Sequence, residues 1–513
     1  MYVYGGNDAM TFASCTFTDN NAADNGGGMY VNLDNDDMSL TSCTFIDNTA
    51  NIGGGLHLNS GNTRMTLTSC SFKDNTAIVN GGGLFVSSGN FQMMLSSCIL
   101  SGNTAYYTGG GIYVNSDNYR MTLTSCTFRE NNAVAYGGGM FVYSDNNDMA
   151  LTSCNFTGNT ANNGVGLSVY TNNDDMTLTS CTFSENSAAD NGGGMFAYIG
   201  NDDMTLTSCA FIENTAADNG GGMYVYNDNV RLRISSCTFA GNAVFNKGGG
   251  MYVSTDQLGM TLTSCTFSGN MATVNGGSLY VHGGNDFLAL SSCTFTDNTA
   301  NFGGGVYVHN INDDVTITSC IFIGNTADVG GGVYVHNDNV GMTLTSCTFS
   351  GNIATDDGGG MYVYNGNDDI SLSSCTFAEN TATSHGGGVY VYFDNVGMTF
   401  TSCTFSKNTA SSDGGGLFMN SDNYDVVHES CVFTENVAEG NGGGMYVSSN
   451  NWDMQLVNAT FSSNIAVSGN GGALTVAFYN FHVVVSESQF FHNVAGVSGK
   501  HDAPIIYISA VMH

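Results

Sequence analysis

Sixteen cysteines recur at intervals of 27 or 28 residues, from Cys15 and Cys43 through Cys403 to Cys431. Thiols repeated in this way could pair, ligate metal or pack as small hydrophobes. On rungs stacked ~4.8 Å apart, neighbouring cysteines fall inside the Cα range of a disulfide. Their Cβ vectors run parallel, however, which places the sulfurs poorly for bonding. The spacing also lacks the C-x-x-C signature of a zinc site. Buried, reduced thiols are therefore expected. Pairing of adjacent rungs in an oxidising compartment and chelation by the stack are the alternatives.

Other columns offer chemistry. His282, His309 and His336 hold one slot on three consecutive rungs, and Tyr364 and Tyr392 continue the line. Parallel imidazoles do not converge on one ion, so ring stacking is expected there. His428 stands where Leu is usual and is expected to be partly exposed or hydrogen-bonded inside, not a catalytic base. Asp36-Asp37, Asp174-Asp175, Asp202-Asp203, Asp313-Asp314 and Asp368-Asp369 are acidic loop pairs. They read as solvated loops, with weak Ca²⁺ binding the alternative. Pairs such as Thr343/Thr345 and Thr261/Thr263 form a T-x-T column, interrupted by Ala150, Arg233 and Gln455. Solvent-facing strands favour threonine, and an ice-binding hydroxyl grid is the functional alternative.

What positions these columns is the repeat itself. A constant period of this length means one supersecondary unit stacked on itself. In residues 333–360 three short extended segments appear: Val333-Tyr334-Val335, Met342-Thr343-Leu344-Thr345 and Cys347-Thr348-Phe349. Met342, Leu344, Cys347 and Phe349 face inward, and the threonines face outward. Leu344 and Cys347 are an odd number of residues apart, so the backbone must bend near Thr345-Ser346. The aromatic second slot of the first segment (Tyr30, Phe85, Tyr113, Phe141, Tyr334) reads as an outward ladder, with structural packing expected and a sugar-stacking or partner-binding face the alternative. Three residues beyond the Phe slot stands Asn in all eighteen repeats, from Asn20 to Asn493, which predicts an asparagine ladder. Gly-Gly-Gly ahead of the first segment permits positive φ and close approach of rungs. The fold class is all-β: a right-handed parallel β-helix, a single-stranded solenoid of about 18 rungs, ~28 residues per rung, with three short strands per rung.

Composition agrees. The chain has 43 acidic against 9 basic residues and a formal net charge of −34, so nucleic acid is excluded as a partner. A hydrophobic content of 42% argues against disorder despite 69 glycines. Pro504 is the single proline, which suits a sheet that needs its backbone N–H groups. No apolar run is long enough for a transmembrane segment. Met1-Tyr2-Val3-Tyr4 matches the interior Met361-Tyr362-Val363-Tyr364, and the sequence stops at Met512-His513, just after a strand. Residues 1–513 are thus expected to form one continuous repeat domain, truncated at both ends.

The pairing of Gly358-Gly359-Gly360-Met361 with Phe349-x-x-Asn352 resembles the repeats of polymorphic outer membrane proteins, which carry G-G-A-I and F-x-x-N. The third position is Gly here, where that family usually has Ala. The resemblance implies a pectin lyase-like β-helix, displayed at the cell surface or outer membrane and often adhesive. Cell-surface glycans or proteins are the expected partners, and the oligomeric state is left open. Lyases and galacturonases share this plan, but basic residues such as Arg64, Arg120, Arg129, Arg231 and Arg233 are scattered. No G-H-G or R-I-K motif walls a cleft. The expectation is a non-catalytic structural or adhesive protein, extracellular or at the cell surface, not an enzyme and without cofactor. The alternatives are a carbohydrate-binding or carbohydrate-cleaving β-helix and an ice-binding solenoid. Asn155-Phe156-Thr157 and Asn458-Ala459-Thr460 are glycosylation sequons.

Overall fold

The computed structural model describes residues 1–496 and 506–508; Pro504, Met512 and His513 lie outside them. Two compact units are formed, Met1–Met260 and Thr261–His513. Both are built from one kind of coil, repeated in about 18 turns. In the second unit a coil runs through the strands Val333–Val335, Thr343–Thr345, Thr348–Ser350 and Ile353–Ala354. Each pairs in parallel with its counterpart one turn on: Tyr334 with Tyr362, Leu344 with Leu372, Phe349 with Phe377 and Ala354 with Ala382. The first unit repeats the plan in Leu84–Val86, Met94–Ser96, Ile99–Ser101 and Thr104–Ala105. The parallel solenoid with its three main strands per turn is as the spacing predicts.

The inward set is also as predicted. Met342, Leu344, Cys347 and Phe349 are fully buried, while Thr343 and Thr345 reach solvent. Like side chains meet like: Phe349 lies flat between Phe322 and Phe377, with ring centroids 4.7 and 4.6 Å away. Each such ring contributes roughly 1.5–3 kcal/mol by leaving water. The bend falls where the odd spacing requires it, at Ser346, which takes the left-handed conformation with φ 54°. The cysteines are free thiols. Cys347 donates weakly to the carbonyls of Ile317 (3.2 Å) and Thr345 (3.5 Å). The neighbouring Cys375 thiol and burial hold Cys347 well above its ordinary pKa, so it stays protonated.

The asparagine ladder is present. The Asn325 backbone N–H and side-chain amide both donate to Asn352 Oδ1 (3.1 and 2.9 Å), and Asn352 does the same to Asn380 (3.0 and 2.9 Å). Most Nδ2 groups also donate to a Phe carbonyl on the preceding coil, as Asn352 does to Phe322 at 2.9 Å. A second buried ladder, not expected from the sequence, runs through the loop. Asn339 donates to Asn367 Oδ1 (3.1 and 3.0 Å), and Asn312 to Asn339 (3.1 Å each).

Beside the three main strands, Ile353–Ala354 forms a short fourth strand with Ala354 buried. Two readings need correction. The second-slot aromatics alternate with inward residues such as Val333 and Val335 and form the expected ladder, but they are not open to solvent: Tyr334, Tyr362 and Tyr390 are buried. Their rings lie on one another at 5.0 and 4.9 Å, so only edges remain to be covered. Side chains ahead of the glycines help cover them, as His385 does 4.7 Å from Phe418. His428 is neither exposed nor hydrogen-bonded; it is wholly buried, with both ring nitrogens unpartnered among the described residues.

Candidate functional site

The histidine file is a ring stack, as expected: His282 to His309 is 5.0 Å, His309 to His336 5.1 Å and His336 to Tyr364 5.1 Å. Among the described residues no group of three or more His, Cys, Asp or Glu could hold a metal ion. The paired aspartates are used locally. Asp174 Oδ1 accepts from the Asp202 N–H (3.1 Å) and Asp202 Oδ1 from the Val230 N–H (3.0 Å). Burial raises the Asp174 pKa, against the lowering effect of that bond. Asp203 is gripped by Arg231 through two bonds of 2.9 and 2.5 Å, which holds its carboxyl down at about 2. The threonine column faces solvent but is broken by Met94 as well as Ala150.

A different feature stands out in the first unit. The aromatic file of the first strand is interrupted at Leu167–Thr171, where Ser168 takes the ring's place between Phe141 and Phe196. The missing ring leaves room that Tyr136 partly fills from the turn ahead of the glycines. Its ring lies 5.8 Å from Phe141, 5.7 Å from Tyr170 and 6.4 Å from Phe196. One residue beyond the first strand's core, a tyrosine file begins at Tyr143. Tyr143 and Tyr170 lie 5.7 Å apart, Tyr170 and Tyr198 4.5 Å, and Tyr198 and Tyr226 5.0 Å.

Where these files meet, a notch of about 290 Å³ opens, walled by Tyr107, Tyr113, Tyr136, Phe141, Tyr143 and Tyr170, with Asn80 and Thr108 at its polar edge. Thr108 Oγ1 donates to Asn80 Oδ1 at 2.7 Å, which fixes that edge. Tyr107 is 57% exposed and Tyr143 39%. Burial pushes the phenols of Tyr113, Tyr136 and Tyr170 up, and neighbouring tyrosines add to it. They remain neutral donors and acceptors at physiological pH. No ionised group lines the notch. Its chemistry is that of aromatic faces and edges with a few hydroxyls and one amide, which suits a ligand that is apolar on its faces and polar on its rim. No residue here was singled out for this role from the sequence, apart from Tyr113 and Phe141 as members of the aromatic slot. Ser168 in that slot was the available signal.

Among solved structures, the chain is similar to a mannuronic acid specific polysaccharide family 6 lyase from human gut microbiota. Identity is 9%, coverage 72% of this chain and 81% of that one, and the TM-score 0.35. It is also similar to the Dettilon tailspike protein, at 10% identity, 73% and 59% coverage and a TM-score of 0.31. A third is the tailspike gp49 of Acinetobacter baumannii bacteriophage Fri1, a capsular polysaccharide depolymerase, at 12% identity, 68% and 53% coverage and a TM-score of 0.22. The chain spans less than two thirds of either tailspike. No activity is transferred from these likenesses. The expectation that this chain is not an enzyme is withdrawn: one fold hosts many chemistries, so lacking a familiar triad excludes none. No curated protein matches the sequence. The model of the right-handed β-helix region matches residues 2–183, 181–377 and 304–490, and the chain belongs to that family.

Proposed function

We propose that this protein is an extracellular or surface-exposed β-helix that binds carbohydrate, and that the notch at Tyr136, Tyr143 and Tyr170 receives a neutral sugar. The observation that carries this reading is the break in the aromatic file at Ser168. From Tyr280 to Tyr446 the rings of this file cover one another's faces. At the break, Tyr136 stands at a steep angle to Tyr170 (64°), and aromatic surface is left for a ligand. A pyranose presents C–H groups to such a surface and hydroxyls to the phenols, Asn80 and Thr108. The likeness of the repeat to polymorphic outer membrane proteins supports a place outside the cell.

The test is a glycan array probed with the intact protein and with Tyr143→Ala and Tyr170→Ala. A neutral glycan retained by the parent and lost, by about tenfold or more in affinity, by both variants supports the reading. An array without binding, or variants that bind as the parent does, rejects it. Assay of the same glycans for released fragments tests whether binding leads to cleavage.

A further inference from the structure

The corner that leads into the second strand bears a symmetrical file on five successive coils: Asp37, Arg64, Gln92, Arg120 and Asp148. All five sit at left-handed corners, with φ between 52° and 58°. Arg64 turns to one end of the file, its Nε 2.7 Å from Asp37 Oδ1 and its Nη2 2.8 Å from Asp37 Oδ2. Arg120 turns to the other, its Nε 3.5 Å from Asp148 Oδ2, and its guanidinium carbon lies 5.9 Å from the Phe91 ring centroid. The two cations thus flank the coil of Gln92. A groove of about 470 Å³ opens over that coil, walled by Arg64, Gln92 and Arg120, with the Arg64-bound Asp37 at one end, and floored by Thr66, Met94 and Thr122. Met94 pairs in register with Thr66 and Thr122 and is 49% exposed, an apolar patch inside a threonine column.

The local charge is near balance. Residues 61–130 hold four basic side chains against three acidic ones, in a chain whose formal net charge is −34, and Asp37 and Asp148 close the file. An anion therefore meets less repulsion here than the net charge alone would give. Each guanidinium has five N–H donors, and the aspartates occupy two on Arg64 and one on Arg120. The planar fork of arginine matches a carboxylate, and a thioether accepts the apolar face of a ring.

We infer that this groove binds a carboxylated saccharide, its ring over Met94 and its carboxylate over Gln92 between Arg64 and Arg120. The inference rests on the carbohydrate reading for the ring, but the site shares no residue with the tyrosine notch, so the two fail separately. The test is isothermal titration of the full chain with a uronic acid tetrasaccharide and a neutral glucose tetrasaccharide. The proteins are the parent, the double variant Arg64→Gln/Arg120→Gln, Arg231→Gln as an arginine outside the groove, and Tyr143→Ala. Arg64 and Arg120 are exposed, and unchanged thermal melting verifies that the double variant is folded. Uronate binding should be equal in the parent, Arg231→Gln and Tyr143→Ala, and about tenfold or more weaker in the double variant. Raising the salt concentration should weaken it in the parent. Absence of uronate binding to the parent, equal binding by the double variant, or preference for the neutral sugar at this groove overturns the inference.

Discussion

His428 lies face to face on Phe400, with ring centroids 4.6 Å apart and planes 16° apart. It occupies the inward slot filled by Phe400 on one side and Leu456 on the other, in register with both. The stack satisfies its faces but not its nitrogens, neither of which has a hydrogen bond among the described residues. Burial pushes its pKa down to about 3. The imidazole is thus neutral, and its polar atoms are a cost that the surrounding coils carry.

Replacing His428 by Leu should stabilise the protein by about 2 kcal/mol at pH 7, because two unsatisfied nitrogens are removed from the core. The advantage should grow on acidification. In the unfolded chain the imidazole takes up a proton near pH 6.5, whereas the folded chain refuses it down to about pH 3. The histidine's native state is therefore fully favoured above pH 6.5 and loses ground as pH falls below it. At pH 5 the loss is about 2 kcal/mol. Thermal melts of parent and variant between pH 7.5 and pH 5 should diverge; parallel curves would contradict this account.

Asn352→Ala should destabilise by about 3 kcal/mol in denaturant titration. The change removes the acceptor for the Asn325 N–H and amide and the donor to Asn380, and it strands buried groups on both neighbours. Ala at exposed Thr345 should shift the midpoint little. Equal shifts would mean that the amide file is not a structural element.

The glycine triplet should tolerate change unequally. Gly358 has φ 68°, and a Cβ there would lie 2.7 Å from Met361 O and 2.9 Å from Tyr362 Cβ. Gly358→Ala should cost about 2–3 kcal/mol in backbone strain and overlap. Gly360→Ala should cost clearly less. It is not at positive φ, and although a Cβ there would lie 2.5 Å from the Gly388 carbonyl oxygen, the equivalent position after Gly472 is already Ala473, fully buried, so the coils can part enough to admit it. Differential scanning calorimetry of both variants would rank them; the reverse order would overturn the assignment.

The coil was legible in the sequence because identical residues returning every 27 or 28 positions can be satisfied together only if they lie in vertical files. The odd interval from Leu344 to Cys347 located the bend at Ser346 for the same reason. Alternation assigned the face of Tyr334 but not its burial, which comes from stacking on Tyr307 and Tyr362. Asn339 looked like any loop amide, since burial of its loop depends on contacts a turn away. Ile353–Ala354 was too short to announce a strand. The notch required knowing that Tyr136 leans across the gap left by Ser168, which sequence distance hides. Arg64 and Arg120, far apart along the chain, looked scattered, although only one coil lies between them.

Both amide files pass their hydrogens the same way, each coil to the one that follows. The interior of each unit therefore has a head and a tail, and every coil presents the same pattern of donors and acceptors to the next. Excising one complete turn would bring together faces that already fit, whereas removing a single residue would throw every file out of line. Length in such a molecule is a quantity that duplication or loss of whole turns can change in steps, with the chemistry of the remaining surface untouched.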